Sequence, residues 1–197
     1  MTDIALAYVT CDKFSHVWDE WYTGYKKYWG LDLPCYFCGE EVDADFFGFE
    51  YLPHASVPVS KWSTKLRAQV EMIPEEYIFV WLDDHIQLKN IDREFVDLAI
   101  WIRANRPDSL RIMPRRSRSR YEDAGSVCYK SLYRIADRSH YRVSFSPNIF
   151  QRDFLLDVLK HERDPWECEL NSTAWGKNVY SYHIDNWCVN KYVHEQN

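Results

Sequence analysis

Three adjacent polar residues, Asp83, Asp84 and His85, come directly after the apolar run YIFVWL of residues 77–82. The run is rich in β-branched and aromatic residues, which predicts a strand buried on both faces. Ligands of open α/β sheets bind in the crevice at the carboxyl ends of the strands, so polar groups at this position indicate a binding site. The alternative is that the two aspartates are caps or turn formers.

The types of these side chains predict a divalent cation and a diphosphate. Carboxylate oxygens and an imidazole nitrogen are ligands suited to Mg²⁺ or Mn²⁺. Such ions take one or two protein carboxylates and fill the rest of their coordination shell with phosphate oxygens and water. A Lewis acid at this position would neutralise the charge that develops on a nucleoside diphosphate as it leaves a sugar. The expected cofactor is therefore Mn²⁺ or Mg²⁺.

The chain that positions these residues alternates between strand and helix patterns. Strands are predicted at residues 3–9, 34–38, 46–52, 77–82, 141–145 and 179–183, of which 3–9 and 77–82 read as buried and 46–52 as a candidate edge strand. Helices are predicted at residues 14–28, 60–73, 94–104 and 150–159. The basic stretch at 111–120 has no apolar period and predicts a loop. No repeat or linker is visible, so residues 1–197 are expected to form a single layered α/β domain.

Composition favours a packed globule. The chain is 46% hydrophobic and 17% aromatic, and its net charge is −6. No apolar run reaches the roughly 18 residues of a membrane-spanning helix, and the N-terminal sequence MTDIALAYVTCDK has an acidic residue where a signal peptide is basic. A cytoplasmic location is therefore expected. The many Trp and Tyr residues either fill the core and surface or stack on sugar rings and nucleobases.

The six cysteines lack the spacing of a disulfide framework, so reduced thiols are expected in that compartment. Cys35 and Cys38 form a CxxC pair. A zinc site needs four ligands, and no second CxxC or HxxxH pattern accompanies this pair. The pair also lies in an apolar run, which predicts that its thiols are structural.

In their order along the chain, these motifs resemble the GT-A-fold glycosyltransferases, which use nucleotide sugars. Residues 62–66 and the run EYIFVWLDDH at 76–85 look like the stretch that leads to their Asp-x-Asp-type motif. The run YRVSFSPNIF at 141–150, followed by DPWECE at 164–169, resembles a bacterial and phage branch with a Pro-Trp-Glu-x-Glu element. The resemblance covers most of the chain. It implies a single-domain, Rossmann-like α/β/α sandwich with a mixed, mostly parallel sheet, which transfers a sugar from a nucleoside diphosphate to a hydroxyl acceptor with inversion.

The resemblance also implies a donor-binding set near the strand ends and on the helix at 60–73. Its members are Thr10, Asp12, Trp62, Lys65, Arg67 and Asp83. Asp84 would be the principal metal ligand. The third position of the motif is His85 where the family has Asp, which makes this imidazole a candidate second ligand. Some members of the fold supply a late histidine to the metal, so His183 is a further candidate; its alternative role is that of a core histidine.

Two acidic residues, Glu167 and Glu169, occupy the place where inverting members of the family carry a general base. Such a base is needed because the acceptor hydroxyl must lose its proton as it attacks the anomeric carbon. One of the pair suffices for this role. Alternatively, both are exposed acids at a helix start, stabilised by the helix dipole. Trp166 beside them is expected to stack on the acceptor sugar or to pack against the protein.

A basic segment interrupts this acidic chain. Residues 103–142 hold eleven Lys or Arg against four Asp or Glu, and Arg115, Arg116, Arg118 and Arg120 alternate within the predicted loop. Arg side chains bind phosphate oxygens bidentately, which points to three partners: the donor diphosphate, a phospholipid-linked glycan or other polysaccharide acceptor, and DNA. A DNA acceptor would present a hydroxylated base flipped out of the duplex. The alternative is a solvated charged face.

Two other functions share parts of this pattern. A nucleotidyltransferase also couples carboxylate-held Mg²⁺ to a nucleotide, but it usually has a Gly-rich phosphate loop near the first strand. Residues 10–13 (TCDK) contain no glycine. The other alternative is a non-catalytic module on the same fold that binds a sugar or a nucleic acid. Turnover of a sugar donor distinguishes a transferase from such a module.

Overall fold

The structure, a computed structural model, describes residues 3–46, 48–113, 119–127, 130–137, 139–171 and 178–190. In these ranges the strands are β1 (Ile4–Val9), β2 (Cys35–Cys38), β3 (Phe49–Tyr51), β4 (Tyr77–Leu82), β5 (His85–Gln87), β6 (Ser109–Arg111), β7 (Tyr121–Val127), β8 (Lys130–Ile135), β9 (Asn148–Gln151), β10 (Val179–Tyr182) and β11 (Cys188–Asn190). The helices are α1 (Ser15–Tyr28), α2 (Trp62–Met72), α3 (Asp92–Asn105), α4 (Arg152–Val158) and α5 (Pro165–Asn171). None of these helices is both long enough and apolar enough to cross a lipid bilayer.

Nine strands form one sheet in the order β3-β2-β1-β4-β9-β6-β10-β8-β7. The first four of these are parallel to one another. β9 is antiparallel to both of its neighbours, and β10 is parallel to β6. The hairpin β7–β8 continues the sheet in antiparallel pairing, and β5 pairs with β11 separately. The carboxyl ends of β1, β2, β4, β6 and β10 therefore lie along the same side of the sheet, which we call the carboxyl rim.

Both faces of the sheet are covered by helices. Alternate residues of β4 point to opposite faces, as the two-residue period of a strand requires. Tyr77, Phe79 and Trp81 join a core that includes residues of α1 and α3. Ile78 and Val80 join a second core that includes residues of α2, α4 and α5. The expected α/β/α sandwich with a mixed sheet is therefore confirmed, and β4 is buried on both faces as predicted.

Helix α1 buries an aromatic stripe that includes Trp18 and Trp21, in agreement with its predicted helical spacing. Trp21 stacks on Tyr8 of β1 with ring centroids 3.8 Å apart. Gly24 lies on the same face where β5 passes close by: a Cβ atom there would come within 3.1 Å of the Gln87 carbonyl oxygen. Much of the aromatic excess in the sequence is thus used in the core.

The main error of the sequence prediction concerns residues 141–145, which form turns and bends instead of a strand. Tyr141 has a positive φ of 49°, and the Phe145 N–H donates to Glu169 Oε1 instead of to a neighbouring strand. The strand lies further along as β9, partly within the region predicted as the next helix. The β7–β8 hairpin was not predicted, because β7 is largely exposed and its residues YEDAGSV have no apolar alternation.

The thiols of Cys35 and Cys38 lie on opposite faces of β2. Cys35 belongs to the core with α1 and Cys38 to the core with α2, because residues three apart on a strand point in opposite directions. The Cys35 thiol donates to the Leu33 carbonyl oxygen at 3.3 Å and contacts the Tyr25 hydroxyl at 3.4 Å. Both cysteines are free thiols. Their predicted structural role agrees with this packing.

The burial of β4 leads to a first testable prediction. Ile78 is fully buried in β4, whereas Ile100 in α3 is 63% exposed. We expect Ile78→Ala to lower the free energy of unfolding by about 2–5 kcal/mol, since it leaves a cavity in the core. Ile100→Ala should change it by less than about 0.5 kcal/mol. Urea-induced unfolding followed by tryptophan fluorescence measures both, and equal effects would contradict the position of β4.

Candidate functional site

The carboxyl ends of β1 and β4 form a topological switch point. The chain continues from β1 to β2 and β3 on one side and returns to β4 on the other side of β1. Connections that leave two adjacent parallel strands in opposite directions open a crevice between their ends, which is where open α/β sheets bind ligands. Thr10 and Asp83 are the first residues after these two strands, and Thr10 Oγ1 donates to Asp83 Oδ2 at 2.6 Å. Trp18 Nε1 in turn donates to Thr10 Oγ1 at 2.8 Å.

Asp83 is the titratable group that this setting perturbs most clearly. Burial raises the pKa of Asp83 to about 7, because an ionised carboxylate loses hydration there. The Thr10 hydroxyl and the Lys65 ammonium oppose this effect, and the neighbouring Asp84 adds to it. The loss of hydration thus outweighs the contacts that favour the ionised form of Asp83.

A buried ion pair ties β1 to β2 beneath this crevice. Lys65 Nζ lies 3.1 Å from Glu40 Oε1 and donates to the Thr10 carbonyl oxygen at 2.9 Å. The side chains of Lys65 and Glu40 are only 3% and 7% exposed. Glu40 Oε2 also accepts from the Asp12 N–H at 3.2 Å. Lys65 therefore holds the rim together from within, and Glu40 is a member of the site that the sequence motifs did not reveal.

The Asp12 carboxylate also links the loop after β1 to the loop after β2. Its two oxygens accept from the N–H groups of Glu41 and Val42 at 3.2 and 3.4 Å. Together with the Glu40 contact to the Asp12 N–H, these bonds join the loops that follow β1 and β2. Asp12 is thus at the rim, as expected for a nucleoside-binding residue, while its carboxylate braces the loop.

Asp84 is held by two neighbours from different parts of the chain. His85 Nδ1 contacts Asp84 Oδ1, and Asn190 Nδ2 of β11 donates to Asp84 Oδ2 at 2.9 Å. The side chain of Asp84 is 26% exposed and that of His85 only 5%. Asp83 and Asp84 are therefore both partly exposed, whereas His85 is buried behind them. The contribution of Asn190 could not be seen in the sequence.

The acidic pair fits a hard divalent cation. Each oxygen of Asp84 accepts one hydrogen bond in the contacts above and keeps a further lone pair, and the Thr10 hydroxyl and the Lys65 ammonium act on Asp83. Among the described residues, no group of three or more His, Cys, Asp or Glu is placed to bind one ion. A Mg²⁺ or Mn²⁺ ion would therefore have to be held by one or two carboxylates here, with phosphate and water completing its shell.

His183 lies at the carboxyl rim but not beside Asp84. It follows β10, which is separated from β4 by β9 and β6, a distance of about 14 Å at the usual strand spacing. Its Nε2 lies 3.2 Å from Asp185 Oδ1. The structure thus brings His183 to the expected side of the sheet, and its role as a ligand stays a prediction.

The start of α2 positions the start of α5 at the rim. Ser63 is fully buried, and its hydroxyl donates to the His161 carbonyl oxygen at 2.7 Å and accepts from the Arg163 N–H at 2.8 Å. Its own N–H donates to the Arg163 carbonyl oxygen at 3.0 Å. Next to it, Trp62 packs edge-on against Phe145 with centroids 4.7 Å apart. Ser63 is a second positioning residue that the motifs did not single out.

The two acids of α5 have opposite environments. Residues two apart on a helix point about 200° apart around its axis. Glu169 is buried, and its Oε1 accepts from the Ser144 hydroxyl and the Phe145 N–H, each at 2.7 Å. Glu167 is exposed, and its Oε2 accepts from the Asp164 N–H at 3.2 Å in a reciprocal capping arrangement. The helix-start interpretation thus describes Glu167, and the expected exposure of Glu169 is wrong.

Other expected site residues lie further from the crevice. Arg67 Nε donates to Glu71 at 3.0 Å and Arg67 Nη1 to the Leu156 carbonyl oxygen at 2.8 Å, so its guanidinium joins α2 to α4. The Arg67 side chain is thus not brought to the diphosphate position by these contacts. Trp166, at the start of α5, is 62% exposed, which agrees with a surface available for stacking.

Most cations of the basic segment that the structure describes have acidic partners. Arg103, Arg106, Lys130, Arg134 and Arg142 form ion pairs with Asp3, Glu76, Glu94, Glu122 and Asp137. Arg115, Arg116 and Arg118 lie outside the described residues. The chain leads into their segment from the carboxyl end of β6, which is part of the rim. Arg120, at the other end of that segment, is exposed, so an anionic partner would be bound mainly by these four arginines.

Comparison with known proteins identifies the fold. No family model and no curated protein matches the sequence. The structure is similar to that of S. aureus TarS 1–349, with a TM-score of 0.58 and 11% identity over 97% of this chain and 60% of that one. TarS 1–349 in complex with UDP-GlcNAc gives a TM-score of 0.56 at 12% identity, over 93% of this chain and 58% of that one.

A putative nucleotide-diphospho-sugar transferase from Desulfovibrio desulfuricans G20 has a TM-score of 0.50 and 11% identity, over 93% of this chain and 80% of that one. This chain spans about 60% of the length of the TarS fragment that it matches. Identities this low establish a shared fold. The expected GT-A-like fold is thus confirmed.

The buried ion pair beneath the crevice leads to a second prediction. Lys65→Met would leave Glu40 buried without its partner, so we expect a loss of about 3–5 kcal/mol in the free energy of unfolding. Lys61→Met removes an ion pair with Glu162 that is half exposed at 3.5 Å, and it should cost less than about 1 kcal/mol. The double variant Lys65→Met/Glu40→Gln should recover part of the loss. Urea midpoints measure all three, and similar costs for the two lysines would contradict the buried pair.

Proposed function

We propose that this chain is a glycosyltransferase that moves a sugar from a nucleoside diphosphate to a hydroxyl acceptor with inversion. The observation that carries the proposal is the acidic pair Asp83–Asp84 at the end of buried β4, joined to Thr10 at the switch point between β1 and β4. Placing two carboxylates at the end of a buried strand is costly unless they have a partner. A divalent cation would supply that partner, and its remaining coordination positions would bind a diphosphate.

The donor would lie across the ends of β1, β2 and β4. Thr10 and the braced loop at Asp12 would contact the nucleoside, and Asp83 would face the ribose or the donor sugar. Lys65 and Glu40 would hold these loops in place from beneath the crevice. A uridine diphosphate sugar is the first donor to test, because the TarS fragment of similar fold was solved in complexes with UDP-GlcNAc and with UDP.

Asp84 would hold the cation, with His85 and Asn190 fixing its carboxylate. A bound Mg²⁺ or Mn²⁺ would supply Lewis-acid neutralisation of the leaving diphosphate. Asp83 would stay ionised more readily beside such a charge, since an opposite charge lowers the pKa of a carboxyl group. His183 follows β10 at the same rim, three strands away from β4, so it would not bind this cation in the arrangement described.

Glu167 would be the general base. It is exposed at the start of α5, which Ser63 fixes beside the start of α2. Glu169 is buried, and one of its oxygens already accepts two hydrogen bonds from the chain around Ser144. A base must reach the acceptor hydroxyl, so exposure favours Glu167 and gives Glu169 a structural role.

A glycan is the acceptor class that the described surface favours. The net charge of −6 repels a polyanion, and most described cations of the basic segment are already paired. Exposed Trp166 beside Glu167 offers an aromatic face for a sugar ring. A polysaccharide or phospholipid-linked glycan would use Trp166, and Arg115, Arg116 and Arg118 would bind the phosphate of a phospholipid-linked acceptor. A hydroxylated DNA base stays the second acceptor class, because it would depend mainly on the basic segment.

The third prediction tests the reaction class. Incubation with UDP-, GDP- and dTDP-sugars and Mn²⁺ should release a nucleoside diphosphate from one of the donors, measured by chromatography. Asp84→Asn should reduce this release by at least about 100-fold, because it removes the charge that holds the cation. Asp153→Asn, an exposed aspartate of α4, is the matched control and should leave the rate unchanged. Binding without release would indicate a non-catalytic module, and pyrophosphate release from nucleoside triphosphates a nucleotidyltransferase.

The fourth prediction separates the two acids of α5. Glu167→Gln should lower the rate of sugar transfer by about 10²–10⁴-fold, the usual contribution of a general base, while donor affinity stays the same. Glu169→Gln should retain most of the rate, because an amide oxygen still accepts from Ser144 and Phe145. Initial rates and donor dissociation constants are measured for both variants. The reverse order of rates would identify Glu169 as the base.

A further inference from the structure

The C-terminal part of the described chain runs along the carboxyl rim from β10 to β4. After β10 it passes the end of β6, where Trp187 Nε1 donates to the Ile112 carbonyl oxygen at 2.5 Å. The fully buried Trp187 ring packs edge-on against Trp81 of β4 at 5.2 Å between centroids. The Leu88 N–H then donates to the Trp187 carbonyl oxygen at 2.7 Å. These contacts anchor the chain beside the Asp-Asp-His run.

Beyond this anchor, the register of β11 on β5 determines which side chain meets Asp84. The antiparallel pairing sets Cys188 opposite Gln87, Val189 opposite Ile86 and Asn190 opposite His85. Asn190 therefore lies beside the first residue of β5, directly after Asp84 in the chain. A shift of one residue would turn the amide to the other face of the pair.

The amide of Asn190 and the imidazole of His85 contact different oxygens of the same carboxylate. A carboxylate with one hydrogen bond can still rotate about its side-chain bonds. Contacts on both oxygens, from β5 and from β11, fix the plane of the group, and each oxygen keeps a further lone pair. This is the arrangement in which outer partners orient a metal ligand.

We propose that Asn190 is a positioning residue for Asp84, and that β11 completes the cation site by docking on β5. The inference rests on the proposed function, since it assigns Asn190 a role toward the cation that Asp84 would hold. Loss of an outer partner of this kind typically weakens metal binding by about 10–100-fold. The coupling is reciprocal: if docked β11 strengthens cation binding, the bound cation stabilises docked β11 by the same factor.

The strand is suited to such coupling because its attachment weakens towards Asn190. Trp187 is fully buried, Cys188 and Val189 are half-buried, and Asn190 is exposed. The Cys188 thiol contacts Met113 Sδ at 3.2 Å, so the inner end stays anchored to the rim. Elements with few buried contacts open locally at low cost in free energy. Asn190 can thus detach from Asp84 without unfolding the sheet.

The fifth prediction concerns Mn²⁺ binding in the absence of donor, measured by isothermal titration calorimetry. Asn190→Ala should weaken Mn²⁺ binding about 10–100-fold relative to the wild-type chain. Asn105→Ala is the matched control, because Asn105 is an exposed asparagine whose amide donates to the Trp101 carbonyl oxygen at the end of α3. Its Mn²⁺ affinity should equal that of the wild type. Hydrogen exchange at the amides of residues 188–190 should slow on addition of Mn²⁺ in the wild-type chain and in Asn105→Ala, but not in Asn190→Ala.

The outcomes separate this inference from the proposed function. Mn²⁺ binding that is equal in Asn190→Ala and Asn105→Ala would overturn the role of Asn190 and leave the transferase proposal intact. A wild-type chain that binds no Mn²⁺ but releases diphosphate from a donor would overturn the cation site and this inference with it. Weakened binding accompanied by a lower melting temperature than that of Asn105→Ala would also count against positioning, because general destabilisation would then explain the loss.

Discussion

The hydrogen bond from Thr10 to Asp83 joins the ends of two parallel strands whose connections leave in opposite directions. The rest of the site depends on this junction, because it sets the Asp-Asp pair at the mouth of the crevice. Strands β1 and β4 end side by side because Val9 pairs with Leu82, and the two cores bury all of β1 and every residue of β4 except Leu82. The packing of the sandwich thus determines where the polar groups must emerge.

Holding the junction requires burying charge. Lys65 and Glu40 form an ion pair that is almost inaccessible to water, and the desolvation of such a pair can offset its attraction. Its value here is geometric: Lys65 reaches the carbonyl oxygen of Thr10, and Glu40 reaches the N–H of Asp12. Apolar residues of similar volume could fill the space but could not satisfy these two backbone groups.

The parts of the fold and site that could be predicted from sequence are those with a local pattern. The apolar run of β4 has such a pattern and forms a strand as predicted, and the acids behind it could be recognised as candidates because they adjoin it in the chain. Asn190 contacts Asp84 across 106 positions of sequence, and no local pattern encodes such a contact. The prediction of a strand at residues 141–145 was wrong because a buried loop and a buried strand show the same apolar pattern in the sequence. In the structure the Phe145 N–H donates to Glu169 and not to a neighbouring strand, and no local pattern encodes that contact.

Charge explains why this rim needs a cation if it binds a diphosphate. The contacts described above bring together the carboxylates of Asp12, Glu40, Asp83 and Asp84. The ammonium group that these contacts place among them is that of Lys65, which is already paired with Glu40. A nucleoside diphosphate would add further negative charge, and like charges at a few ångströms repel by about a kcal/mol or more even in high dielectric. Burial already makes ionisation of Asp83 unfavourable. A divalent ion on Asp84, as proposed, would reduce both costs, because it would attract the diphosphate and favour the ionised form of Asp83.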